Sequence, residues 1–159
     1  MKIIVTIWWI LFFILILGPF AYHLFGAPPA YTWRQTLDAI RQVETGGCEN
    51  EGRGAKGDKG KALGPYQIWN IYWQDAAVPG REYREVLHDK KLSELVVERY
   101  MQRYARESLR RLQRGTGTLK DVEVVARIHN GGPKGHQRKS TLGYWNKARA
   151  VLSLSSVTK

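Results

Sequence analysis

Hydrophobic positions fall into two regimes along the chain. Ile3 to Tyr22 runs for twenty residues without a charge, long enough to cross the roughly 30 Å hydrocarbon core of a bilayer as a helix. From Trp33 onward the apolar residues recur at helical spacing, interrupted by glycine- and proline-rich segments. Trp33, Leu37, Ile40 and Glu44 follow at i, i+4, i+7 and i+11, with Ala39 and Val43 widening the face. Thr32 and Gln35 fit a capping box at the start of this helix, and Gly46-Gly47 suits its left-handed end. Pro79-Gly80 marks a turn. Leu92, Leu95, Val96, Tyr100 and Tyr104, with Met101 between them, predict one long helix to about Leu112. Its other face carries Arg99, Arg103, Arg106, Arg110 and Arg111, expected to be mostly solvated. Thr118 and Asp121 open a further helix whose Val122, Val125, Ala126 and His129 share a face. A last helix begins at Ser140 or Thr141, with an apolar stripe of Tyr144, Trp145, Ala148, Val151 and Leu152 expected in the core.

These patterns predict a mainly α fold, α+β in type. It is a helical domain with at most a small β-hairpin around Asp58, preceded by one transmembrane helix. The expected segments are an anchor or signal at 1–23, a linker at 24–31, the domain at 32–153 and a frayed tail at 154–159. Lys2 and the amino terminus precede the uncharged run, and no Lys or Arg follows until Arg34. The positive-inside bias then leaves the amino terminus in the cytoplasm and the domain outside as a single-pass membrane protein. A cleaved secretory signal is the competing reading and would make the domain secreted. The run is longer than an ordinary signal core, and no small-x-small cleavage site precedes Ala27 or Ala30, which favours an anchor.

Composition adds an abundance of aromatic surface, with six Trp and eight Tyr, and a net charge of +11. The charge suits an anionic partner such as an acidic wall polymer, a headgroup surface or nucleic acid. Nucleic acid is not the expected one, because only charge speaks for it. A single cysteine, Cys48, excludes an intramolecular disulfide. His23, His88, His129 and His136 are scattered without a cysteine set, so neither a metal site nor a cofactor is expected.

The chemistry-bearing residues gather around the first helix. Glu44 lies on its apolar face beside the negative end of the helix dipole, where a carboxylate loses hydration. A general acid for glycosidic cleavage uses such a setting; a surface glutamate closing the last turn is the plainer alternative. Asp58 follows in Gly57-Asp58-Lys59-Gly60, among Lys56, Lys59 and Lys61. An ionised aspartate there could orient water or stabilise a cationic transition state, or be an ordinary turn residue. Gly64-Pro65-Tyr66-Gln67-Ile68 re-enters order after the loop. Asn130, just past the face that places His129 against the core, can both donate to and accept from a sugar N-acetyl group. Gly131 and Gly132 would let backbone approach a substrate.

Several blocks, in order, resemble the invertebrate-type (destabilase-like) lysozymes. They are Val43-Glu44-Thr45-Gly46-Gly47-Cys48, Gly57-Asp58-Lys59-Gly60, Gly64-Pro65-Tyr66-Gln67-Ile68 and Tyr72-Trp73-Gln74-Asp75. Val97 to Ala105, Ala126 to Pro133 and Gly143 to Lys147 continue the series, so the resemblance runs from about residue 37 to 149. It implies a lysozyme-like fold and hydrolysis of peptidoglycan between N-acetylmuramic acid and N-acetylglucosamine. Glu44 falls at the general acid and Asp58 at the second catalytic carboxylate. The same pieces resemble the wider lytic transglycosylase group, in which a Gly-x-x-Gln turn and an aromatic-Asn-x-Gly block line the cleft. By that likeness Tyr66, Gln67, His129, Asn130 and Gly131 are expected to bind substrate. The family is rich in disulfides, whereas Cys48 has no partner and is expected as a small buried side chain. The spacing between the acids also departs from the family's. Lys61, Ala62 and Leu63 stand where some members carry a serine linked to isopeptidase activity, so that activity is not expected.

The expectation is therefore a membrane-tethered muramidase whose partners are peptidoglycan and, through the amino-terminal helix, a membrane. A lytic transglycosylase using Glu44 alone and a non-catalytic wall-binding protein are the alternatives.

Overall fold

The computed structural model describes residues 30–157. The expected anchor at 1–23 and most of the linker lie outside them, as do residues 158–159. Among the described residues no helix is long and apolar enough to cross a membrane.

The first helix, α1, spans Trp33–Thr45 and begins as its sequence predicts. The Thr32 hydroxyl accepts from the Gln35 backbone N–H, and the Gln35 side chain accepts from the Thr32 backbone in return. Gly46, at φ +63°, ends the helix in the left-handed conformation. A small three-stranded antiparallel sheet follows: β1 (Lys56–Gly57), β2 (Ala62–Leu63) and β3 (Ile68–Trp69), in that order. Lys56 pairs with Leu63, and Ala62 with Trp69. The expected hairpin around Asp58 is present and gains a third strand. Then come α2 (Asn70–Ala76), α3 (Lys90–Tyr104), α4 (Arg106–Gln113), α5 (Leu119–Gly131) and α6 (Leu142–Val157).

Helix α5 is the hub. It packs on α1, α3, α4 and α6, and its Val122, Val125, Ala126 and Ile128 are fully buried. Ile40 and Leu37 of α1, Val96, Val97 and Met101 of α3, Leu109 and Leu112 of α4, and Trp145, Ala148 and Leu152 of α6 close the core around it. Residue 31 is tied down as well, since Tyr31 and Gly117 exchange backbone hydrogen bonds in an isolated antiparallel bridge.

Three expectations are corrected. The single helix to Leu112 is two, divided at Ala105, whose φ −142° and ψ +36° are not helical. Leu95 is exposed, and Val97 takes a place in the core that the pattern had given to it. The last helix continues through the expected tail to Val157.

Two of the arginines expected to be mostly solvated also make structural contacts. Arg99 donates to the carbonyls of Ala76 and Ala77 and so caps α2. Arg111 forks onto the buried Asp121, which also accepts from the Thr118 backbone and hydroxyl. Burial pushes the Asp121 carboxyl up, but these hydrogen bonds outweigh it and hold it well below the usual carboxylate range. Asp121 thus joins α4 to the start of the central helix.

Candidate active site

The end of α1, the small sheet, α2 and the end of α5 enclose a cleft of about 280 Å³. Glu44, Asp58, Ala62, Gln67, Trp69, Tyr72, His129 and Asn130 line it. The sequence-predicted acids thus come from separate elements to one cavity.

Glu44 projects from the last turn of α1, with its side chain 18% exposed. Its Oε1 accepts a 2.8 Å hydrogen bond from the Tyr144 hydroxyl on α6, and His129 Nε2 lies 3.4 Å from the same oxygen. Behind His129, its Nδ1 meets the Tyr72 hydroxyl at 3.2 Å. Tyr72 in turn stacks on Tyr100, with ring centroids 3.6 Å apart. Burial, and then the Glu44 charge, push the Tyr144 phenol well above its ordinary value; burial does the same for Tyr72. Both hydroxyls remain neutral donors.

Asp58 sits exposed on the facing loop, in the left-handed region at φ +43°, followed by Lys59 at φ +57°. Among the described residues none of Lys56, Lys59 and Lys61 forms an ion pair with it. The Gln67 amide holds this loop: its Nε2 donates to the Gly64 carbonyl at 2.9 Å and reaches the Ala55 carbonyl at 3.5 Å. Gly57 leaves the space the amide needs, since a Cβ there would lie 2.1 Å from Gln67 Oε1. Gln67 therefore lines the cleft as expected, with part of its hydrogen-bonding capacity already used to shape the wall. Asn130 is exposed, and its amide makes no hydrogen bond among the described residues. It is free to meet a ligand.

Two of the expected binding residues lie outside the cleft lining. Tyr66 is fully buried and donates to Glu94 on the far side of its turn, so it touches core rather than cleft. Gly131 does not line the cleft. A Cβ there would lie 2.5 Å from Thr141 Cγ2, so its small size serves helix-to-loop packing. His129 is both things expected of it, a buried helix-end histidine and part of the cleft wall. Cys48, expected buried, is exposed on the loop after α1 with its thiol near Asn50 Oδ1.

Three residues at the site carried no assigned role in the sequence. Trp69 stands 42% exposed at the cleft beside a fully buried neighbour, Ile68, as alternation along a strand dictates. Tyr72 belongs to one of the family-like blocks, but nothing in that block points to His129. Tyr144 was counted among apolar stripe positions, which its ring satisfies while its hydroxyl reaches Glu44.

Among the described residues no group of three or more His, Cys, Asp or Glu could hold a metal ion. The cleft itself presents a shielded carboxyl, an exposed carboxylate, an amide and an indole face. That is the equipment of a glycosidase. The comparisons agree. A family model described as Destabilase matches residues 34–151. The lysozyme of Meretrix lusoria is 34% identical over 125 residues, covering 78% of this chain and 93% of the relative. An invertebrate-type lysozyme of Ruditapes philippinarum is 33% identical, covering 81% and 88%. The Meretrix lusoria lysozyme in its crystallised complex with Aeromonas hydrophila PliI superposes with a TM-score of 0.58 at 32% identity, over 79% of this chain and 93% of the other. The fold is lysozyme-like. The chain belongs to the destabilase family of invertebrate-type lysozymes, glycoside hydrolases of the muramidase type.

Proposed function

We propose that this chain hydrolyses the glycan of peptidoglycan between N-acetylmuramic acid and N-acetylglucosamine, with Glu44 as general acid and Asp58 as the second carboxylate. The observation that carries this is the convergence of the two residues on one cleft from elements with no other reason to meet. Glu44 is the shielded one, suited to deliver a proton to the leaving oxygen. Asp58 is the exposed one, suited to orient water or to offset positive charge developing on the sugar ring. Asn130 offers an unpaired amide to an N-acetyl group, Trp69 an indole face to a sugar ring, and Gln67 and His129 complete the wall.

Digestion of purified sacculi followed by mass spectrometry of the fragments tests the reading. Reducing muramic ends are expected. Products ending in 1,6-anhydro-muramic acid would replace hydrolysis by transglycosylation through Glu44 alone, and binding without release of fragments would leave a wall-binding protein.

The uncharged run from Ile3 to Tyr22 supports a further part of the proposal, that the domain works outside the cytoplasm while held to the membrane by its amino-terminal segment. Full-length chain is expected in the membrane fraction, and chain starting at Ala30 in the soluble one. Expression of the full-length chain that yields protein in the medium with a trimmed amino terminus would replace the tether by a cleaved signal.

A further inference from the structure

Two side chains approach one oxygen of Glu44, and neither comes from its own helix. Tyr144 approaches from α6, one hundred residues away, at 2.8 Å. His129 approaches from α5 at 3.4 Å. What His129 presents to Glu44 depends on which ring nitrogen carries the proton, and the neighbouring tyrosine decides this. Tyr72 is buried, and its hydroxyl has His129 Nδ1 as its hydrogen-bonding partner at 3.2 Å. With Nδ1 as the partner that the hydroxyl has here, its buried proton is paired when the O–H donates. Nδ1 is then the acceptor, and the ring proton of a neutral His129 sits on Nε2, facing Glu44. Stacking of Tyr72 on Tyr100, and the bond from Tyr104 to Asp75 behind them, fix the tyrosine in that position.

The geometry points to Tyr144, and to Tyr72 acting through His129, as positioning residues that occupy Glu44 Oε1 and leave Oε2 to carry the proton delivered in the reaction. The inference rests on the role given to Glu44 above. A protonated carboxyl has one oxygen that accepts and one that donates. Filling Oε1 from the protein side selects which is which before substrate arrives. When the proton leaves Oε2, the charge spreads to Oε1, where the Tyr144 hydroxyl already donates and the His129 Nε2 edge lies close, so that little reorganisation is needed. Neither phenol touches the sugar in this scheme. Their removal should therefore alter the chemical step more than binding.

The test uses the intact chain and a soluble peptidoglycan fragment. Tyr144→Phe keeps the ring in the core and deletes only the donor. A hydrogen bond to a charged group corresponds to a loss in kcat of roughly 10- to 100-fold, with KM changed by less than about twofold because uniform binding is untouched. Tyr72→Phe should give a smaller fall in kcat. In ¹⁵N spectra of the neutral ring, the His129 proton of the wild type should sit on Nε2, and Tyr72→Phe should gain the Nδ1–H form. A rise in KM at unchanged kcat for Tyr144→Phe would make Tyr144 a substrate contact and overturn the inference. So would a neutral wild-type His129 ring protonated at Nδ1. If Glu44→Gln is inactive while Tyr144→Phe matches wild type, the positioning role fails and the function stands. If Glu44→Gln stays active, the function reading itself fails.

Discussion

Glu44→Gln should slow the release of soluble fragments from sacculi by roughly a thousandfold, within the range attributed to loss of a positioned general acid. The substitution keeps the shape of the side chain, and the amide oxygen can still accept from Tyr144. What disappears is the transferable proton. The fold should survive, because the core around α5 does not include the Glu44 carboxyl, so near-ultraviolet circular dichroism and binding to sacculi should be unchanged. Turnover-dead protein that still binds sacculi is the combination expected. Retained turnover would remove Glu44 from the reaction, and loss of binding together with turnover would assign it to ground-state contacts instead.

How well the sequence foretells each feature depends on the range of the interaction behind it. The start of α1 is local: Thr32 and Gln35 satisfy each other's groups within one turn, and Gly46 supplies the left-handed residue at the other end. The facing of Glu44 follows from the same helix's periodicity. The division between α3 and α4 has no such signature. Met101, Ala105, Leu109 and Leu112 are all buried at spacings of three and four, which one continuous helix would satisfy equally well. There is no glycine or proline at the break, and it is tertiary packing that fixes it.

Positions 66 and 67 show the limit within a recognised motif. Gln67 sits at φ +45°, so the turn sends successive side chains opposite ways, Tyr66 into the core and Gln67 to the cleft. A motif names both residues but does not say which way each points. Tyr144 marks the other limit. A tyrosine in an apolar stripe reads as core, and only the approach of α6 to the end of α1 shows where its hydroxyl goes. Asp58 is legible mainly through resemblance, because its loop is shaped by the Gln67 amide bonding back to Ala55 and Gly64.

That dependence makes Gly64 the position where a single methyl group should do most damage. Gly64→Ala is expected to destabilise the fold by about 3–5 kcal/mol, combining a left-handed backbone penalty with a clash that cannot relax. Gly64 has φ +73°, and a Cβ there would lie 2.0 Å from the Val86 carbonyl oxygen. That oxygen cannot retreat easily: Ser93 Oγ donates to it, and Val86 itself is fully buried. The Gly64 N–H donates to Ala55, and its carbonyl accepts from both the backbone and the side chain of Gln67. Moving Gly64 thus moves the wall that carries Gln67 and the loop that carries Asp58. Gly60→Ala is the matched comparison. Gly60 has a similar φ of +87°, but a Cβ there meets nothing within 4 Å, so only the backbone cost of about 1–2 kcal/mol applies. Urea titration of both variants separates the two effects, and equal destabilisation would mean that contact with Val86 contributes nothing. Because an ordinary domain is stable by only about 5–15 kcal/mol, the Gly64 variant should lose a large share of its folded margin and its activity with it, whereas the Gly60 variant should keep both.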